Sequence, residues 1–149
     1  MKRNWLVITG IIFIVALAGG LYAYREFMRK PKDALETEAA FKVSPGEISK
    51  SFMEDEQKAN KMYVGKAIAI TGVIHDIKTD ENGFRTIIFS DSLLNVTISA
   101  SLDSVHNAKA AGLQSGDNIC VKGFCVGFNK DELLGSDIQL NRCGITDKQ

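Results

Sequence analysis

Between Tyr63 and Ile145, short β-rich segments alternate with Gly-containing turns, and the hydrophobic period changes only once. Ala67 to Lys78 (AIAITGVIHDIK) places Ile68, Ile70 and, beyond Gly72, Ile74 on one face. Gly72 in mid-strand predicts a bend or bulge, as a small barrel needs where a long first strand serves both ends of the sheet. Asp80-Glu81-Asn82-Gly83 carries the Asn-Gly hairpin signal. Phe84 to Ser90 reads as the second strand. Leu94 to Ala100 reads as the third, with Val96 and Ile98 opposite Asn95, Thr97 and Ser99. From Ser101 to Leu113 the period becomes helical: Leu102, Val105 and Ala108 form an apolar edge, Asp103 can cap and Gly112 can terminate. Strands resume from Asn118 to Phe128 and from Asp137 to Cys143, the latter with Ile138 and Leu140 facing inward.

Three strands, a short helix and two strands is the order of an OB-fold, a Greek-key barrel of five strands. The expected fold class is therefore all-β: a five-stranded OB-fold barrel with an inserted short helix, a preceding helix and an N-terminal transmembrane helix. The preceding helix has a sharp start. Ser44-Pro45-Gly46-Glu47 combines an N-cap serine, proline at the first helical position and glutamate at the third, a capping box. Ile48, Phe52, Ala59 and Met62 follow near helical spacing, Asp55 or Glu56 interrupts the apolar stripe, and Gly65 is placed to end the helix. A surface helix covering the barrel, or one presented to a partner, would show the same pattern.

Trp5 to Tyr24 contains no charged residue and is flanked by Lys2, Arg3 and Arg25. A run of this length can cross a hydrocarbon layer, with Trp5, Tyr22 and Tyr24 at interfacial depth. A cleaved signal peptide is the alternative, since Ala16-Leu17-Ala18 has the small-x-small pattern. The apolar run continues past that site, so a retained anchor is expected. No cysteine precedes residue 120, which excludes a lipidated one. The resulting division is an anchor at 1–25, a stalk at 26–43, a packed helix and connection at 44–66, the barrel at 67–145 and a tail at 146–149.

The formal charge of zero is uneven. Residues 1–34 hold six Lys/Arg and two Asp/Glu; residues 35–149 hold twelve and sixteen, a balance near −4. That argues against a non-specific grip on phosphates, although a local basic patch remains open. Arg25, Arg29, Lys30 and Lys32 outnumber the charges before the apolar run, which alone would place the domain in the cytoplasm.

Cysteine usage points the other way. Cys125 and Cys143 are symmetric about Leu134, so a regular final hairpin would set them opposite each other, at a separation a disulfide accepts. Three buried thiols are the alternative, with Cys120 lacking a partner in either case. A disulfide would require an oxidising compartment. The expected location is therefore the inner membrane, single-pass, with the C-terminal domain periplasmic. Zinc is not indicated, because there is no CxxC pair with nearby histidines.

The segments Tyr63-Val64-Gly65-Lys66, Ile70-Thr71-Gly72-Val73-Ile74, Gly116-Asp117-Asn118-Ile119-Cys120-Val121-Lys122-Gly123-Phe124-Cys125-Val126-Gly127 and Leu140-Asn141-Arg142-Cys143 resemble those of the small bacterial proteins grouped as tRNA_anti-like. The resemblance covers roughly residues 44 to 145. It implies an OB-fold related in shape to anticodon-binding domains, and no catalytic motif. A nucleic-acid connection follows only by fold analogy.

No catalytic set is legible. His75 beside Asp76 lacks a third group, His106 belongs to the inserted helix, and both histidines read as surface or rim residues. No nucleophile elbow, phosphate loop or dinucleotide pattern occurs, so neither an enzyme nor a cofactor is expected. An OB surface binds with outward aromatics and cations. The candidates are Phe84, Arg85, Lys122, Phe124, Phe128, Lys130 and Arg142. The expected function is a membrane-tethered OB-fold module contacting an unidentified protein in the cell envelope, with the bilayer as a second partner through residues 5–24. The alternative is a nucleic-acid-binding OB-fold protein.

Overall fold

The computed structural model describes residues 2–28, 33–131 and 135–146, with side chains from Ile14 onward. The basic positions 29, 30 and 32, positions 132–134 with the proposed symmetry point Leu134, positions 147–149, and the Trp5 side chain lie outside the described residues. The chain divides into two units, Met1–Lys32 and Asp33–Gln149.

The first unit contains helix α1, Lys2–Phe27. Its described apolar side chains run from Ile14 to Tyr24, followed by Arg25 and Glu26. Among the described residues no helix is long and apolar enough to cross a membrane. The expected transmembrane helix, the bilayer contact of residues 5–24 and the single-pass inner-membrane location are thereby corrected.

The second unit is mixed α/β rather than all-β. Strand β1 (Phe41–Val43) precedes helices α2 (Pro45–Glu54) and α3 (Glu56–Tyr63); β2 (Ala67–Val73), β3 (Asp76–Thr79), β4 (Arg85–Asp91) and β5 (Val96–Leu102) follow. A short 3-10 helix (Asn107–Gly112) leads into β6 (Asn118–Asn129) and β7 (Ser136–Thr146). The seven strands form one unclosed sheet in the order β1-β2-β6-β7-β5-β4-β3, in place of the expected closed five-stranded barrel. Among the described residues of this unit, α2, α3 and the 3-10 helix accompany the sheet.

Two local events raise the strand count. Phe41–Val43 adds a parallel edge strand beside Ile68–Ile70. The predicted first strand breaks at Ile74 and His75, where the Ile74 N–H turns to the Asp117 carbonyl and the His75 N–H to the Ile88 carbonyl. Its halves thus lie in different parts of the sheet, β2 against β6 and β3 against β4. Gly72 is not the break. A Cβ there would meet Pro45 Cγ at 2.7 Å, so the glycine lets the start of α2 approach the strand.

The capping box forms as the sequence predicts: the Ser44 side chain accepts from the Glu47 N–H, and Glu47 accepts from the Ser44 N–H at 2.7 Å. Asp55 ends α2 and starts α3 in extended backbone, its side chain accepting from the Lys58 N–H. This divides the single expected helix into two that bury Ile48, Phe52, Ala59 and Tyr63 against the sheet. Phe52 stacks on Phe128 with ring centroids 5.0 Å apart. The inner face of β5, Val96, Ile98, Ala100 and Leu102, joins Ile87, Phe89, Val121, Ile138 and Leu140 in the same core.

The last hairpin carries two register shifts, at Lys122/Phe124 and Cys125/Gly127. They place Cys125 opposite Leu140, three residues from the expected partner, while Cys143 lies opposite Leu102 of β5. Cys120, Cys125 and Cys143 are all free thiols. The disulfide expectation fails for this reason, and the inference of an oxidising compartment fails with it.

Candidate functional site

An irregularity in β7 builds the site. Between Leu140 and Cys143 the strand has one residue more than either neighbour: Lys122 and Phe124 of β6 pair with Gly144 and Asn141, and Ala100 and Leu102 of β5 pair with Leu140 and Cys143. Arg142 sits at this bulge in left-handed backbone, φ +51°. Regular alternation would send one of two successive side chains inward; here Asn141 and Arg142 are both exposed. The Arg142 guanidinium carbon lies 5.0 Å from the centroid of the Phe124 ring, a cation–π geometry.

Arg142 and Phe124 form part of an open cleft of about 680 Å³. Its other walls include Phe84 in the turn that leads into β4, Ser101 and Asp103 at the end of β5, and Asn141. Phe84 is 44% exposed, a large apolar ring left to solvent on the rim. The Asp80–Phe84 turn that presents it is held by Asp80 Oδ1, which accepts from the Asn82 and Phe84 N–H groups. Asn107 adds a tie from the 3-10 helix: its Nδ2 donates to the Gly83 carbonyl and its Oδ1 accepts from the Arg85 N–H.

Of the seven predicted ligand residues, the fold gathers three in the cleft: Phe84, Phe124 and Arg142. The other four are placed elsewhere. Arg85 donates through Nη1 to the Asn107 carbonyl. Lys122 donates to the Leu35 carbonyl at 2.7 Å. Phe128 stacks on Phe52 in the core, and Lys130 is exposed outside the cleft. Lys122 and Phe124 do share a face of β6, yet only the second lines the cleft.

The segment that occupies Lys122 is a strap the sequence did not reveal. Asp33 Oδ2 lies 2.9 Å from His106 Nε2, and Asp33 Oδ1 accepts from the Leu35 N–H at 2.8 Å. The Leu35 side chain fills the space beside Gly144, where a Cβ would collide with it. His106 is buried rather than a surface residue, whereas His75 is exposed as expected. The Leu35 N–H, and then His106, hold the Asp33 carboxyl below its usual range. Among the described residues, no group of three or more His, Cys, Asp or Glu could hold a metal ion.

A small sheet with an outer cleft that combines aromatic faces, one guanidinium and short polar side chains defines an OB-fold binding module. The chain belongs to the tRNA_anti-like family, which matches residues 1–139. Among solved structures, a candidate nucleic acid-binding lipoprotein from Klebsiella pneumoniae subsp. pneumoniae MGH 78578 superposes with a TM-score of 0.55 at 19% identity, over 79% of this chain and all of that one (100%). A candidate aspartyl-tRNA synthetase from Leishmania major Friedlin aligns at 9% identity and a TM-score of 0.45, over 80% of this chain and 23% of that one. No curated protein matches the chain in sequence. The preference for a membrane-tethered module contacting envelope protein is overturned: among the described residues no helix is long and apolar enough to cross a membrane, and what the chain shares with its relatives is an OB-fold.

Proposed function

We propose that the protein is a single-stranded nucleic-acid-binding module whose ligand stacks in the cleft of Phe84, Phe124 and Arg142. The observation that carries this reading is the Arg142 guanidinium poised over Phe124 on a bulge in left-handed backbone. Strained non-glycine backbone of this kind costs about 1–3 kcal/mol and collects at functional sites. The cleft is walled by Phe84 in the turn that leads into β4, by the end of β5, and by residues of β6 and β7. Since β2 and β3 together stand for the first OB strand, β4 and β5 are the second and third, whose face binds oligonucleotides in OB-folds. The nucleic-acid binding ascribed to the Klebsiella protein accords with this reading.

The mechanism is stacking first and charge second. Base–aromatic stacking contributes roughly 1–3 kcal/mol per base. Of the predicted cations only Arg142 lines the cleft, which makes it the one placed to meet a phosphate there. Binding should therefore depend weakly on salt, with a slope of log K against log salt near −0.7, the value for about one phosphate contact on a single strand. Fluorescence anisotropy of a labelled single-stranded RNA, titrated with the full chain at several salt concentrations, tests this. Saturable binding with that shallow slope, weakened about tenfold or more by Phe124→Ala, is the expected result. Equal affinity of the wild type and Phe124→Ala would remove the cleft from the reading.

A further inference from the structure

Only two of the residues lining the cleft carry charge, Arg142 and Asp103, and no ion pair joins them among the described residues. A carboxylate in a nucleic-acid cleft needs a physical account, because it repels phosphate as strongly as a guanidinium attracts it. Asp103 is rigidly placed. Its N–H donates to the Cys143 carbonyl, and its own carbonyl accepts from the His106 and Asn107 N–H groups, each at 2.9 Å. Its Oδ1 is taken up by its own turn, accepting from the Val105 N–H at 3.2 Å and the Ser104 hydroxyl at 3.1 Å. Oδ2 accepts nothing from the described residues. Asp103 therefore sets on the cleft wall a carboxylate with one oxygen uncommitted among the described residues.

That arrangement orients a ligand. A single strand stacked here would keep its phosphates toward Arg142 and away from Asp103, which would leave the edge of the stacked base to face Asp103. A carboxylate there accepts from an exocyclic amine, as acidic side chains do from cytosine N4. Uracil offers a carbonyl oxygen at the same position, which sets two acceptors against each other with no proton between them. Leaving such a group desolvated and unpaired is what makes hydrogen-bond discrimination strong. We propose that Asp103 is a specificity-determining residue that selects bases presenting an amine, so that the cleft takes cytosine ahead of uracil. This rests on the nucleic-acid reading and adds to it which bases are held.

The test compares short oligocytidine and oligouridine RNAs with the full chain by anisotropy at one salt concentration. The expected preference for cytosine is about tenfold, the range of one charge-assisted contact. Asp103→Asn keeps an oxygen for the turn and turns an amide donor toward the base, so the preference should fall below about twofold. Replacing cytosine by N4,N4-dimethylcytosine removes the donor from the ligand instead and should abolish the preference with the wild-type protein, whatever the variant does to folding. Equal affinity for both RNAs, with both weakened by Arg142→Ala, overturns the selectivity and leaves the interface standing. A preference that survives either Asp103→Asn or dimethylation also overturns it. Absence of saturable binding to every RNA overturns both.

Discussion

Asp33 and His106, far apart in sequence, meet with Oδ2 and Nε2 2.9 Å apart and fasten the segment before β1 beside Lys122 of β6. The fastening has a pH signature set by the carboxylate. Its folded-state pKa is depressed below the ordinary value of 3.8, first by the Leu35 N–H and then by His106. The contribution to stability is therefore present above about pH 4 and lost as pH falls through the folded value. Asp33→Asn should lower stability at pH 7 by up to about 1 kcal/mol, as expected for a partly exposed pair. Urea unfolding of the two proteins should converge as the pH falls through the folded value, below the ordinary 3.8. A constant difference down to acid pH would show that the carboxylate charge is not what holds the strap.

Arg142 separates stability from binding. An L-residue in left-handed backbone is destabilised by roughly 1–2 kcal/mol, and glycine escapes that cost. Arg142→Gly should therefore be about 1 kcal/mol more stable than Arg142→Ala in denaturant melts, although both lose the guanidinium over Phe124. Both should bind single-stranded RNA equally poorly. If Arg142→Gly is no more stable than Arg142→Ala, the bulge holds no strain of that size.

The cysteines give a chemical check on the register of β6 and β7. Burial pushes the Cys125 thiol up to about 11 and the Cys143 thiol further still, so neither supplies thiolate at neutral pH. Native protein treated with iodoacetamide at pH 7.5 should label at Cys120, which is half-buried. Denaturation should then release two more reactive thiols without reductant. Peptides joining Cys125 to Cys143 would contradict the observed pairing of Cys125 with Leu140.

Gly123 lies behind the site, where a Cβ would overlap the Cys143 sulfur and press on the Asn141 carbonyl. Gly123→Ala should cost about 1–3 kcal/mol by overpacking. Cys143→Ala should recover part of that loss, a coupling between residues in contact. Strict additivity of the two changes in thermal or urea unfolding would argue against the contact.

What the sequence made legible was local. The capping box at Ser44 and Glu47, the Asn82-Gly83 turn and the alternation along β5 are encoded within a few residues, and each appears where the pattern predicts. The closed five-stranded barrel was not borne out, because the break at Ile74 and the edge strand at Phe41 depend on partners distant in the chain. The site was half legible for the same reason. Phe84, Phe124 and Arg142 could be named by residue type, but whether Lys122 is free depends on Leu35, and no local pattern announces a carbonyl acceptor from an upstream segment. Asp103 was read as a helix cap. It does organise its own turn, and its second role as a wall of the cleft is invisible until β5, β6 and β7 are assembled.

Photochemical crosslinking tests the central claim most directly. The full chain is mixed with a short single-stranded RNA of mixed sequence, irradiated at short wavelength and digested, and the nucleotide-bearing peptides are mapped by mass spectrometry. Stacking in the cleft predicts adducts at Phe124 or Phe84, reduced when Arg142 is replaced by alanine. Adducts confined to α2 and α3, or the same adducts at full yield with Arg142→Ala, would contradict it.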